Sequence, residues 1–228
     1  RLAIRLDAGT LRCALVHGRK GELRRESAVR HAKLLVAAEI DEIQARGEVT
    51  TFLSLCTAVE EAWLRELFPE DFTEVSAPRY DPTLRRVLAR VERRFRDLVL
   101  ETVERDETPS DAASRLLAEE VVAGRLELEK WDGQVDGWIR RVNFLAKHCP
   151  ELGIAPFDEA GRRMVIEEVC AGAVAYRDIR ERQVMGIVRG WLTHEQAMAL
   201  ESYCPEKIVL PRKKHPARIE YTTDGEAE

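Results

Sequence analysis

The hydrophobic pattern changes its period near the middle of the chain, and this change constrains the fold more than any other feature. Residues 10–59 contain short apolar runs that alternate with polar residues and are separated by turn signals such as the GRKG segment. Alternation is typical of strands with one buried face, and several such strands in succession are typical of a small barrel or sandwich. From residue 107 onwards, apolar residues recur every three or four positions, which indicates amphipathic helices.

Four strands are predicted in the first third of the chain, in residues 10–18, 22–29, 33–43 and 48–59. The pattern then predicts a short helix over Val59–Pro69, because the period lengthens and Pro69 can end a helix. Its apolar face is expected to consist of Ala62, Trp63, Leu67 and Phe68. Alternation returns in residues 72–82 and indicates a further strand.

Residues 83–106 fit two structures. A stripe at helical spacing favours a helix, and it consists of Leu84, Val87, Leu88, Val91, Phe95, Leu98 and Val99. Alternation at Leu98, Leu100 and Val103 also fits strands that break near residues 94–97. Periodicity alone therefore favours a helix here but leaves strands open.

Four helices are predicted in the second half of the chain. The first follows Pro109 and is capped by Ser110 or Asp111, and the second carries apolar residues from Val135 to Leu145. A third begins at Asp158, and a last helix over residues 192–205 has a capping-box spacing at Thr193 and Gln196. A closing β hairpin is predicted over residues 207–222.

Motifs that would carry catalysis are absent from the sequence. It has no phosphate loop of the form G-x-x-x-x-G-K-[ST], no DEAH-type box, no zinc-protease motif around His194 and no G-x-S-x-G. Pairs of carboxylates such as Glu119 and Glu120 fit solvated helix faces. We therefore predict no catalytic residue, no metal site and no cofactor in this chain.

The five cysteines predict structural thiols. They are scattered at positions 13, 56, 149, 170 and 204, and no two of them show the C-x-x-C spacing of a zinc or redox site. No apolar run is long enough to span a membrane and no signal peptide opens the chain. We expect free thiols, a cytoplasmic location and no membrane partner.

Two groups of cations are the remaining candidates for function. The net charge of −5 excludes a polyanion binder held by bulk charge, so a contact with nucleic acid would need a local patch. Arginine suits such a patch because its planar fork forms paired hydrogen bonds to phosphate. The predicted nucleic-acid-binding residues are Arg85, Arg86, Arg90, Arg93, Arg94, Arg212, Lys213, Lys214 and Arg218. Phe95 and Tyr80 are the aromatic candidates near them, so contact with the backbone is favoured over base stacking.

Long segments of the chain resemble the C-terminal half of the HrpB family of bacterial DEAH-type helicases. These segments include GTLRCALVHGRKGELRRESAVRHAKLLVAAEI, VEEAWLRELFPEDF, WDGQVDGWIRRVNFLAKHCPELG and RGWLTHEQAMALESYCPEKIVLP. They follow one another in the same order as in the family, and the resemblance extends over essentially the whole chain. The chain begins with Arg1, so we expect a piece of a longer polypeptide. The resemblance implies that the two motor domains, with their ATP and Mg²⁺, belong to the missing part.

The resemblance implies an α+β fold. It implies an OB-like β-barrel domain over residues 1–106, a helical domain over 107–205 and a truncated β hairpin over 206–228. It also implies that residues 88–101 form a β hairpin, which favours strands in the ambiguous stretch. The implied function is that of a non-catalytic accessory region that helps to bind single-stranded RNA or DNA beside the motor domains.

A protein-docking role is the alternative. A scaffold domain would bind a partner or the helicase core without contact to nucleic acid, through an exposed apolar patch. The acidic stretch between Glu101 and Glu129 suits this role better than it suits nucleic-acid binding.

Overall fold

The computed structural model describes residues 1–45, 48–211 and 215–222. The chain is α+β, and its first part is a closed five-stranded β-barrel rather than a sandwich. The barrel strands are β1 (Leu2–Arg5), β2 (Arg12–Leu15), β3 (Lys20–Leu23), β4 (Leu34–Ala45) and β5 (Glu48–Ala58). Their order around the barrel is β1-β2-β3-β5-β4, and β4 pairs with β1 to close it.

Strand pairing in the barrel is antiparallel except between β3 and β5, which run parallel. The side chains of Cys13, Leu15, Leu23, Leu35 and Leu53 point inward and are almost fully buried. Gly21 lies among them, and a Cβ there would meet Leu53 at 3.1 Å and the Thr51 carbonyl oxygen at 3.2 Å. A side chain at this position would therefore crowd the barrel interior and force its neighbours to shift.

Strands β2, β4 and β5 match predicted strands, although β2 is shorter than predicted. Strand β3 begins within the predicted GRKG turn and overlaps the predicted strand 22–29 only at Glu22 and Leu23. Strand β1 was not predicted, because LAIR is only four residues long and three of them are buried rather than alternating. Its residues Leu2 and Ile4 pack in one cluster with Leu34, Leu64 and Phe95.

The predicted short helix is confirmed as α1 (Glu61–Leu67), but its apolar face is not buried. Leu64 is the buried residue of this helix, whereas Trp63, Leu67 and Phe68 are 48%, 67% and 45% exposed. The residue that anchors the helix is therefore Leu64, which was not among the residues assigned to its apolar face. A helical stripe marks the side on which apolar residues lie and does not by itself show what covers that side.

Residues 72–106 form a three-stranded sheet, so the helix that periodicity favoured over residues 83–106 is wrong and the strands are confirmed. The sheet order is β6 (Phe72–Asp81), β7 (Arg86–Phe95) and β8 (Leu98–Asp106). Arg85 and Arg96 have positive φ angles of 50° and 54° in the two turns. Asp81 helps to shape the first turn by accepting hydrogen bonds from the backbone of Thr83 and Leu84.

The helices of the second half are confirmed, with two short ones added. They are α2 (Asp111–Val122), α3 (Gly133–His148), α4 (Glu159–Cys170), α5 (Tyr176–Ile179), α6 (Val184–Arg189) and α7 (His194–Tyr203). Ser110 caps α2, Asp132 caps α3 and Asp158 caps α4, in each case by accepting a backbone N–H. Thr193 and Gln196 form the predicted capping box of α7. These caps satisfy amide groups that helix starts leave without an intrahelical acceptor.

The helical core contains one buried cation. Arg141 on α3 is 3% exposed, and its Nε donates to the Cys204 carbonyl oxygen at 2.7 Å. Its two terminal nitrogens lie 3.2 Å and 2.9 Å from carboxylate oxygens of Glu206 and Glu201. Arg141 therefore ties α3 to the end of α7 and to the segment that follows it.

A two-residue strand pair closes the described chain. It consists of β9 (Lys207–Ile208) and β10 (Ala217–Arg218), which confirms the predicted C-terminal hairpin. Tyr221 behind it is buried, and its hydroxyl donates to the Pro205 carbonyl oxygen at 2.9 Å.

The chain divides into two compact units. One comprises residues 1–77 and 89–105, with the barrel, and the other comprises residues 78–88 and 106–228, with the helices. We call them the barrel unit and the helical unit. The three domain ranges implied by the resemblance, 1–106, 107–205 and 206–228, stay a prediction.

Candidate nucleic-acid interface

Four of the predicted arginines lie on strand β7 beside carboxylates. Arg90 and Arg94 flank Glu92, and their guanidinium nitrogens lie 3.2 Å and 2.6 Å from its carboxylate. The hydrogen bonds from Arg94 hold the pKa of Glu92 below its usual range. Arg86 lies 3.1 Å from Asp106. These cations are therefore already paired within the chain.

Arg93 and Arg85 have partners as well. Because side chains alternate along a strand, Arg93 lies on the opposite face of β7 from Arg90 and Arg94. There its Nη2 lies 2.9 Å from Glu101 and 3.4 Å from Glu61. The guanidinium of Arg85 lies over the ring of Tyr176, 4.7 Å from its centre.

The predicted positions do not form one described surface. Arg85 and Arg86 belong to the helical unit, whereas Arg90, Arg93 and Arg94 belong to the barrel unit. The predicted positions Arg212, Lys213 and Lys214 lie outside the described residues. Arg218 is exposed on β10, opposite Lys207. A role of these nine residues in nucleic-acid binding stays a prediction.

The aromatic candidates of the sequence are not available for base stacking. Phe95 is 4% exposed and packs edge-on against Phe72, and Tyr80 packs against the core of the helical unit. The outward-facing aromatic side chain of the barrel is Phe52 on β5, which sequence reasoning missed. The guanidinium of Arg24 lies 5.3 Å from the centre of its ring and donates to Asp41 at 2.9 Å.

Cations without a carboxylate partner gather instead at one end of the barrel. Loop 6–11 joins β1 to β2 there, and loop 24–33 joins β3 to β4. The Arg5 backbone N–H donates to the Lys33 carbonyl oxygen at 2.9 Å, and the Leu6 N–H donates to that of Arg12 at 3.0 Å. The second bond closes loop 6–11, whereas the first bond and the Arg5 guanidinium, which donates to the carbonyl oxygens of Arg30 and His31, tie the end of β1 to loop 24–33. We call the resulting surface the basic rim, and it consists of Arg5, Arg12, Arg25, Arg30 and Lys33.

The basic rim carries positive charge that the surrounding chain does not neutralise. None of its five side chains forms an ion pair with any residue in the described part of the chain. The Arg5 guanidinium donates to the carbonyl oxygens of Arg30 and His31, which orients it without cancelling its charge. The acidic residues of the two loops are Asp7 and Glu26, and Asp7 accepts the Gly9 N–H at 2.7 Å.

Sequence reasoning missed the basic rim although a simple count could have found it. Residues 1–33 contain nine lysines and arginines against three acidic residues, in a chain whose net charge is −5. These cations are spread along the segment singly or in pairs, so they form no long basic run. The closed barrel brings them to one end because the two loops that hold them meet there.

No metal-binding cluster accompanies these cations in the part of the chain that the structure describes. Within residues 1–45, 48–211 and 215–222, no group of three His, Cys, Asp or Glu side chains is placed to hold a metal ion. In the same ranges no helix has both the length and the apolarity needed to cross a membrane. Burial raises the pKa of the Cys13 thiol to about 11 and that of Cys170 to about 12, which keeps both thiols protonated.

Fold and surface together define an α+β chain with a closed five-stranded barrel, a basic rim and a helical unit. No protein-family model and no curated protein sequence matches the chain. Two solved structures of HrpB from Escherichia coli, described as a DExH-box NTPase and as a DEAH/RHA helicase, match over 100% of this chain. They show 17% and 16% identity and TM-scores of 0.49. The chain spans 28% of the HrpB chains.

Proposed function

We propose that this chain is a non-catalytic accessory region of an ATP-dependent helicase and binds single-stranded nucleic acid through the basic rim. The observation that carries the proposal is the group of five cations at one end of the barrel that pair with no carboxylate among the described residues. Lysine and arginine side chains that neutralise phosphates release counterions and give affinity without sequence preference. The role beside a motor rests on the sequence resemblance to the HrpB family.

The barrel supports the proposal by its strand order. A five-stranded barrel of order β1-β2-β3-β5-β4, with β3 and β5 parallel, is the arrangement that we assign to the OB type. OB-type barrels bind oligonucleotides with the face of strands 2 and 3 and with the loop between strands 1 and 2. In this chain that loop is 6–11, and Arg12 follows it directly as the first residue of β2.

The rim favours contacts to phosphate over contacts to bases. The ring of Phe52 is covered by Arg24, and Glu22 and Asp41 lie beside Phe52 in the strand register. Arg24 would have to leave the ring before a base could stack on it, and Arg24 is held there by Asp41 at 2.9 Å. The carboxylate of Glu22 beside the ring would also repel the phosphates that flank a stacked base. The ligand class is therefore a single strand of RNA or DNA that is read without regard to its sequence.

A protein-docking role is the second candidate, and the ion pairs of β7 favour it. Arginines that are held by Glu92, Glu61 and Glu101 contribute little to phosphate binding unless these pairs open. A chain that docks a partner or the motor domains needs no free cations.

Fluorescence anisotropy separates the two candidates. A labelled single-stranded RNA and the matching DNA are titrated with the chain across a salt series. An accessory clamp gives binding at low salt and a linear fall of log affinity against log salt, with a slope of about −0.7 for each phosphate neutralised. Flat anisotropy at low salt rejects nucleic-acid binding and leaves the docking role.

A further inference from the structure

Helix α1 holds three large apolar side chains at the surface of the barrel unit. Trp63 and Leu67 are 48% and 67% exposed and lie one helical turn apart. Phe68, the residue after the helix, is 45% exposed, and its ring packs edge-on against Phe95 with 6.2 Å between the ring centres. We call these three residues the α1 face. Residues four apart on a helix are neighbours on its surface, so Trp63 and Leu67 present one continuous patch. Large exposed apolar patches are typical of interaction sites.

The α1 face is held in place by contacts on the other side of the helix. Leu64 is 7% exposed and packs in the cluster that contains Leu2, Ile4 and Phe95. Glu61 pairs with Arg65 one turn later at 2.8 Å and with Arg93 on β7 at 3.4 Å. A partner would therefore meet a preformed surface, which lowers the entropic cost of binding.

The surroundings of the α1 face are acidic. Residues 60–74 contain six acidic residues and one basic residue, and the acidic ones are Glu60, Glu61, Glu66, Glu70, Asp71 and Glu74. The nearby cations are already used, because Arg65 and Arg93 pair with Glu61 and Arg96 pairs with Asp71 at 2.7 Å. Glu66 and Glu70 are exposed and pair with no residue that the structure describes.

We infer that the α1 face binds an amphipathic helix of a partner protein that carries lysine or arginine beside its apolar stripe. The apolar stripe would cover Trp63, Leu67 and Phe68, and its flanking cations would face Glu66 and Glu70. Tryptophan at the centre of an apolar patch is the residue type that most often dominates interface energy. Complementary charge would select a basic partner over an acidic one. This site is separate from the basic rim and does not depend on nucleic-acid binding.

The test uses synthetic peptides and the whole chain. The probe is an 18-residue labelled peptide of leucine and lysine with leucines at helical spacing. One comparison peptide has the same composition in an order that destroys the stripe, and another replaces lysine by glutamate. The variants are Trp63→Gln and Leu67→Gln, and the matched control is Met198→Gln, since Met198 is 63% exposed on α7 of the helical unit.

We expect the striped lysine peptide to bind the chain and the Met198→Gln control equally. Binding to Trp63→Gln and to Leu67→Gln should be weaker by about tenfold or more, as for central apolar anchors. The double variant Glu66→Lys/Glu70→Lys should lose the lysine peptide and gain the glutamate peptide. The inference would be overturned if the striped lysine peptide bound Leu67→Gln and the unchanged chain with equal affinity. Equal binding of the stripeless peptide, or no binding at millimolar peptide, would overturn it as well. Because the substituted side chains are exposed, circular dichroism should show an unchanged fold.

Discussion

The guanidinium of Arg94 lies 2.6 Å from the carboxylate of Glu92, two residues away on the same face of strand β7. Glu92 also lies 3.2 Å from Arg90, so one carboxylate holds two of the predicted nucleic-acid-binding cations. An arginine in such a pair has to leave its carboxylate before it can hold a phosphate. The cations of the basic rim form no such pair with any residue that the structure describes, so they can hold a phosphate without first breaking an ion pair.

The Glu92 pair predicts a loss of stability in acid. Hydrogen bonds from Arg94 hold the pKa of Glu92 below its ordinary value, so the folded state favours the ionised form. The ionised Glu92 carboxylate therefore stabilises the folded state above the pKa that Glu92 has in the unfolded chain. This stabilisation is lost as the pH falls through the lower pKa that Glu92 has in the folded state. Between pH 5 and pH 3, the free energy of unfolding measured with urea should therefore fall less in Glu92→Gln than in the unchanged chain. Glu26→Gln, which removes an exposed acid of loop 24–33, serves as the control, and identical pH profiles of Glu92→Gln and the unchanged chain would contradict the pair.

The buried thiols predict a loss of stability in alkali. Burial raises the pKa of Cys170 to about 12, so the folded state favours the protonated thiol. Its contribution is complete below the unfolded pKa, near 9, and is lost as the pH rises from there towards the folded pKa. The free energy of unfolding measured with urea should therefore be lower at pH 10.5 than at pH 8. This difference should be smaller in Cys170→Ala. Cys149→Ala, at a half-buried position, should behave as the unchanged chain does.

Alanine in place of Gly21 and alanine in place of Gly137 should have opposite effects on stability. A Cβ at Gly21 meets the side chain of Leu53 and the backbone oxygen of Thr51 inside the barrel, so Gly21→Ala should destabilise by about 1–3 kcal/mol. Gly137 lies within α3, and the nearest atom to its Cβ is 3.9 Å away on Arg140. Gly137→Ala should therefore stabilise by roughly 1 kcal/mol through helix propensity. Chemical denaturation measures both, and a neutral Gly21→Ala would contradict the packed barrel interior.

Arg141 should contribute to the stability of the fold but not to nucleic-acid binding. Removing its side chain leaves the buried Cys204 carbonyl without its donor, so Arg141→Met should cost about 1–3 kcal/mol. Arg163→Met, at an exposed position of α4, should change the free energy of unfolding little. Both proteins should bind nucleic acid as the unchanged chain does under conditions where they are folded. A large loss of affinity in folded Arg141→Met would show that its role was misjudged.

Much of the fold could be predicted from the sequence, because caps and alternation are local signals. Asp158 and the Thr193–Gln196 pair marked their helices correctly. Residues 83–106 were ambiguous because Val87, Val91 and Phe95 stand four apart, a spacing that fits both a helix and every second position of a strand. Only pairing within the sheet, which is not local, decides between the two.

The candidate site was harder to predict because it depends on what lies beside each charge. The arginines of β7 form a dense run in the sequence, yet carboxylates from Glu61, Glu92 and Glu101 neutralise them in the fold. Arg12 and Lys33 stand 21 positions apart and meet at one end of the barrel only after it closes. The helical stripe of α1 likewise could not predict which side of the helix is exposed, because exposure depends on which parts of the fold lie beside it.

The most direct test of the basic rim compares two variants that remove the same charge. Arg12→Gln/Arg25→Gln changes the rim, and Arg90→Gln/Arg94→Gln changes β7. Both are titrated against a labelled single-stranded RNA in a salt series. We expect the rim variant to bind more weakly and its salt slope to fall by about 1.4, because two phosphate contacts are lost, while the β7 variant keeps the slope of the unchanged chain. A reduced slope in the β7 variant with an unchanged rim variant would contradict the proposed interface and restore the β7 arginines as the binding surface.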